Sequence, residues 1–198
     1  MQEENFSGEQ SLAIIESMIN KAKNQFSENG FMYLLWGWVI LFCSLSHFVL
    51  EYFMHYPNPQ LVWMLTWLAL IVQIVYLSRK KKTRLVKTYT DEITGYVWIA
   101  FVIMLALSGW LMSSALQPSQ IYAGNIFILI LYGMPTFLSG IILQFKPLVT
   151  GGIVCWVLSL LAVFVPHEFV ILLLSLAVIA AWIIPGYLLR SRYKKENK

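Results

Sequence analysis

Phe31-Met-Tyr-Leu-Leu-Trp-Gly-Trp-Val-Ile-Leu-Phe-Cys-Ser-Leu-Ser-His-Phe-Val-Leu-Glu-Tyr52 is the stretch on which the fold class turns. From Phe31 to Leu50 it contains no Asp, Glu, Lys or Arg. A helix of roughly 20 apolar residues is what crosses about 30 Å of hydrocarbon. Five further stretches read the same way, over residues 59–77, 95–116, 122–144, 148–165 and 168–189. The composition agrees: the chain of 198 residues is 59% hydrophobic and only 12% charged. Soluble domains run about 45–50% apolar and about 25% charged, and one of this length could not hide so much apolar surface. Lipid tails solvate it instead. The expected fold is all-α, a polytopic membrane protein of six transmembrane helices. A secreted disulfide scaffold, a disordered chain and an ordinary cytosolic enzyme are excluded on the same ground.

The connectors set the plan of the chain. His55-Tyr-Pro-Asn-Pro-Gln separates the first two spans, Gln117-Pro-Ser-Gln the third and fourth, and Pro166-His-Glu the last pair. Each carries proline, which breaks helices. These are tight turns, so the reading is three hairpins in one transmembrane domain over residues 30–190. A segment over 1–29 precedes it and a basic tail over 191–198 follows. The acidic start, Met1-Gln-Glu-Glu-Asn, lacks the basic region of a secretory signal, so targeting is expected to use the first span.

Orientation follows from the positive charges. Lys21 and Lys23 precede span one. Arg79, Lys80, Lys81, Lys82, Arg84 and Lys87 lie between spans two and three, and Lys146 between spans four and five. Arg190, Arg192, Lys194, Lys195 and Lys198 follow span six, which completes all 14 Lys and Arg residues. With six spans these segments share one side, so both termini are expected in the cytoplasm. A net charge of +4 distributed in this way points to a membrane surface and to no nucleic acid. Tyr33, Trp36, Trp38, Tyr52, Tyr56, Trp63, Tyr76, Tyr96, Trp98, Tyr122 and Tyr187 fall near span ends, where amphipathic rings favour the headgroup layer.

Ahead of span one, Leu12, Ile15, Ile19, Ala22 and Phe26 recur at helical spacing, with Glu16, Asn20 and Lys23 opposite them. Ser7 and Gln10 suit a capping box, and Asn29-Gly30 a stop. The expectation is a cytoplasmic amphipathic helix, resting on the bilayer or docking a partner. A weaker pattern suggests a hairpin repeated three times. Trp38, Trp98 and Trp156 recur early in the odd spans. The even spans end in Val75-Tyr-Leu-Ser-Arg-Lys, Gly140-Ile-Ile-Leu-Gln-Phe-Lys and Gly186-Tyr-Leu-Leu-Arg-Ser-Arg. In–out–in topology alone also places positive charge at those ends.

Chemistry is sparse. No span carries Asp, Glu, Lys or Arg near its centre, which disfavours a proton-coupled transporter, a cation exporter with a membrane carboxylate and an intramembrane aspartyl protease. The polar groups within spans are His47 with Ser44 and Ser46, Gln73, Asn125, and Thr136 beside Pro135. Their ordinary role is hydrogen bonding between helices. Gly133-Met-Pro135 is expected to bend span four and Pro185-Gly186 to loosen the exit of span six. Gly109, Gly133, Ser139 and Gly140 are expected to admit close helix contact. Trp38, His47, Gln73, Asn125 and Pro135 are the candidate lining of an apolar pocket with few polar contacts. On the outer rim, His55, His167 and Glu168, with Glu51, would suit zinc only if folding gathered them, and their spacing matches no zinc pattern. Cys43 and Cys155 lie in apolar runs and read as packing residues, with no disulfide. No cofactor is expected.

The segment from Glu16 to Trp38, with Ile184-Pro-Gly-Tyr-Leu-Leu-Arg near the other end, resembles a family of small six-span membrane proteins of Bacteroidetes-type bacteria. The resemblance implies six helices in the bacterial inner membrane and transfers no catalytic residue. The three-hairpin plan is also loosely similar in architecture to the acid-resistance membrane protein family, a likeness that carries no function. Together these readings give a non-enzymatic membrane component acting through protein partners or as a homo-oligomer. The N-terminal helix and the basic loop from Arg79 to Lys87 would form its contact surface. A carrier of a small apolar or lipid-like molecule is the alternative.

Overall fold

The computed structural model describes residues 29–83, 89–115, 121–196, less the side chains of 80–83, 89, 91, 115, 121–123, 167 and 196. The amphipathic helix expected over 12–26, the basic residues Arg84 and Lys87, and the connector over 117–120 lie outside the described residues. Everything regular among the described residues is helical. Helix α1 (Phe31–Phe48) runs on through a π-helical turn, Val49–Phe53. A 3-10 turn, Pro59–Met64, leads into α2 (Leu65–Thr83). Helices α3 (Tyr89–Ala115), α4 (Ile121–Ile142) and α5 (Lys146–Leu161) follow. The last span is α6 (Val170–Val178), a π turn (Ile179–Ile183) and α7 (Ile184–Glu196). Six helices among the described residues are long and apolar enough to cross a membrane, Phe31–Phe53, Pro59–Arg79, Glu92–Ser114, Gly124–Ile142, Lys146–Phe164 and Val170–Lys195. They match the six stretches read from the sequence to within a few residues at most ends, and by six at the end of span six.

The six are not equal members of the bundle. In spans one, four, five and six, 33–50% of the apolar stretch is buried; in spans two and three the figure is 6%. A four-helix core therefore carries two peripheral helices. Small residues explain the core, because helices in lipid gain little from hydrophobic burial and associate where backbones approach. A Cβ on Gly152 of α5 would lie 2.8 Å from the Phe137 nitrogen and 2.9 Å from the Gly133 carbonyl of α4. A Cβ on the neighbouring Gly151 would lie 2.6 Å from Ala181 Cα of span six. Gly152 thus admits α4 on one side of α5, and Gly151 admits span six on the other. Span one meets span six through Gly37, which faces Ile183 and Trp182.

These contacts also fix direction. Asn29 and Phe31, at the start of span one, meet Tyr76 near the end of span two. Gly30 faces Gly186 and Arg190, while Ser44 meets Ser175 and Phe48 meets Phe169. Spans one and two are antiparallel, and so are one and six. Gly124 on Met112 and Gly140 on Val149 make the pairs three–four and four–five antiparallel too.

Two prolines shape the helices as chemistry requires. Pro185 offers no N–H to the carbonyl four residues back, and the helix widens into the π turn that contains Ala181. Pro135 sits inside α4. Beside the carbonyl it deprives, Ile130 O accepts a hydrogen bond from Trp156 Nε1 of α5 at 3.2 Å.

Some residues take other places than the sequence suggests. Tyr33 and Trp98, read as interfacial rings, belong to the interior cluster described below. Tyr52, Tyr56, Tyr96 and Tyr187 are exposed. Gly109, expected at a helix contact, has nothing among the described residues within 4 Å of where a Cβ would sit.

Candidate functional site: polar ties on span two and an apolar groove

Span two buries little, so something other than packing holds it to span one. A ladder of polar contacts does so. Asn29 Nδ2 donates to the Tyr76 hydroxyl at 2.7 Å, and Phe31 stacks on the same ring. Trp36 Nε1 donates to Gln73 Oε1 at 2.7 Å. Cys43 donates through its thiol to the Val62 carbonyl at 3.4 Å. At the far end Trp63 Nε1 donates to His47 Nδ1 at 2.8 Å, while His47 Nε2 lies 3.3 Å from Glu51 Oε2. Between helices in a membrane such bonds act as directional glue.

The interior holds a second feature. Tyr33, Trp98, Phe101, Tyr132 and Trp182 form one connected aromatic cluster, with neighbouring ring centroids 4.8–5.8 Å apart. It joins spans one, three, four and six, and ties Trp98 and Phe101 of the third span to the core. The π turn is what aims Trp182 into it. Trp182 Nε1 also donates to the buried Thr136 hydroxyl at 2.9 Å, and that hydroxyl donates on to the Tyr132 carbonyl at 2.8 Å. Both polar side-chain atoms of this Thr136–Trp182 pair are therefore satisfied. Ser44 and Ser175, both buried, share a hydrogen bond of 2.7 Å between spans one and six. Ser139 Oγ is buried without a hydrogen-bond partner among the described residues.

Beside the cluster, spans three and four diverge and leave a groove of about 290 Å³. Span three lines it with Tyr96, Val97, Ala100, Phe101 and Met104, and span four with Leu131, Met134, Pro135 and Leu138. The Tyr96 hydroxyl is the sole polar side-chain group among these residues. Pro135, inside the helix of span four, is part of its wall.

The five candidate pocket residues are not gathered into one place. Pro135 lines the groove and the other four do not. His47 and Gln73 belong to separate rungs of the span-two ladder. Trp38 and Asn125 are exposed. Among the described residues no three His, Cys, Asp or Glu side chains converge as a metal site would require. His55 and Glu168 are exposed, and the His167 side chain lies outside the described residues. The three tryptophans of the hairpin pattern have different surroundings: Trp38 is exposed, Trp98 sits in the cluster, and Trp156 packs on Phe137. Sequence reading missed the roles of Trp36 and Trp63 as donors, since a tryptophan near a span end has the same signature whether it anchors in headgroups or bonds a neighbour.

Comparison with known proteins gives no relative: no family model, curated protein or solved structure matches the chain.

Proposed function

We propose that the protein is a non-enzymatic component of the bacterial inner membrane that works by association, with both termini in the cytoplasm and spans two and three as its contact surface. The observation that carries this reading is the 6% burial of those two spans beside 33–50% in the other four. Trp67, Ile71 and Ile74 of span two, and Ile99, Val102 and Trp110 of span three, are all exposed. The 14 basic residues, placed in the segments that share one side of a six-span chain, favour the cytoplasmic termini. The segment joining the two peripheral spans carries Arg79, Lys80, Lys81, Lys82, Arg84 and Lys87, so the reading takes that loop, with the N-terminal segment, as the part that meets anionic headgroups or a protein partner.

Photo-crosslinkers placed at Ile71 and Val102, against controls at the equally exposed Val157 and Leu160 of span five, test this in native membranes. Adducts of defined mass from spans two and three alone, either to a second copy or to one partner, support it. Equal adducts from both sets, or none, overturn it. Deleting residues 1–24 should then weaken the same adducts.

The groove favours a second reading, a carrier of a small apolar or lipid-like molecule. An apolar cavity of about 150 Å³ accepts benzene, so 290 Å³ suits a segment of an acyl chain. Native mass spectrometry of the protein and of Ala100→Trp, which fills the groove, distinguishes this reading. It fails if the two retain the same lipids.

A further inference from the structure

We propose that His47 is a proton-operated latch between spans one and two, which opens when the imidazole takes a second proton. An indole N–H can only donate, so the 2.8 Å bond from Trp63 Nε1 requires a bare lone pair on His47 Nδ1. The neutral ring then carries its proton on Nε2, where Glu51 Oε2 stands 3.3 Å away to accept it. The latched state is therefore neutral histidine in one tautomer, set by its two neighbours.

A second proton has only Nδ1 to occupy. There it points at the Trp63 N–H, and two donors face each other across 2.8 Å. The bond to span two is lost, while the imidazolium remains held by Glu51, one turn along its own helix. Charge is thus kept on span one and the tie to span two is given up. Besides Glu51, the titratable groups at this end among the described residues are Cys43, one turn earlier, the exposed Tyr52 and Tyr56, and the exposed His55 and Glu168 of the connectors. Span two sets Trp63 against His47 and the Val62 carbonyl against Cys43; Ser175 of the sixth span meets Ser44, and Phe169 just before that span meets Phe48. None of these four can take over the proton. Because span two has so little burial to hold it, one rung of its ladder is a large share of its attachment.

The test uses the full chain in lipid nanodiscs, with 15N in histidine and in the indole of tryptophan, and spectra from pH 8 to pH 4. His47→Gln and Trp63→Phe assign the two signals. At pH 8 His47 should show protonated Nε2 and bare Nδ1. As it takes up the second proton, the Trp63 indole proton should move upfield and exchange faster with water, at the same midpoint, while the other tryptophans hold still. In His47→Gln the Trp63 signal should lose that transition. The opposite tautomer at pH 8, a Trp63 signal unmoved while His47 titrates, or a His47 that stays neutral down to pH 4 each overturn the latch. These outcomes are read on one rung within the chain, so they stand apart from whether spans two and three bind anything.

Discussion

Replacing Gly152 by alanine adds one methyl group at the point where α4 and α5 come closest. That methyl would stand 2.7 Å from Phe137 Cβ, 2.8 Å from the Phe137 nitrogen and 2.9 Å from the Gly133 carbonyl. Ordinary contact begins near 3.4 Å, so the helices must part by about half an ångström or more, and two of the three obstacles are backbone that cannot swing aside. Overpacking of this kind costs ~1–3 kcal/mol, roughly a 5- to 150-fold shift in the unfolding equilibrium. Gly109→Ala is the internal control. It adds the same methyl to a helix where nothing lies within 4 Å, and alanine is the better helix former by up to about 1 kcal/mol. Unfolding each variant by titrating a denaturing detergent into mixed micelles, followed by helical circular dichroism, measures the difference. Gly152→Ala should lose stability and Gly109→Ala should match or exceed the parent. If Gly152→Ala is as stable as the parent, or if the two variants lose equally, then small residues do not hold this core together.

Thr136→Val removes the acceptor of the Trp182 indole and should cost about 1 kcal/mol in the same assay, with Thr136→Ser largely preserving stability. A double-mutant cycle on Ser44→Ala and Ser175→Ala should return a coupling near the ~0.6 kcal/mol average for bonds between membrane helices; additive losses would place that bond outside the energetics. Trp36→Phe and Gln73→Leu should each loosen span two by similar amounts and add nothing when combined, read as faster protease cleavage in the connector between spans one and two.

Fold class was legible because it depends on a run length. Phe31 to Leu50 without a formal charge admits one solvent, and the other five runs repeat the argument. Which helices form the core was not legible, because spans two and three are as apolar as the rest, and in lipid an exposed leucine looks like a buried one. Glycine was a partial signal: Gly133 and Gly140 lie at contacts and Gly109 does not, while Gly37, Gly151 and Gly152 passed unremarked. Their difference lies in azimuth around the helix, which a sequence without a water-facing side does not reveal. For the candidate site, Pro135 was found from its chemistry. His47 and Gln73 were singled out as polar groups, but their partners are tryptophans, whose single N–H is overshadowed by a large ring. The groove walls are ordinary apolar residues with no mark until two helices diverge beside them.

The order of the core along the chain has a consequence for how the protein is made. Span one lies against span six through Gly37 and the Ser44–Ser175 bond, so its main neighbour is the last of the six spans to leave the ribosome. Until then the nascent chain holds its first helix in the bilayer with the second helix bonded to it and Trp98 of the third against Tyr33. The rungs from Asn29 to His47 would thus act as an early brace during insertion, and a chain stalled before residue 170 would present an incomplete seam to membrane quality control.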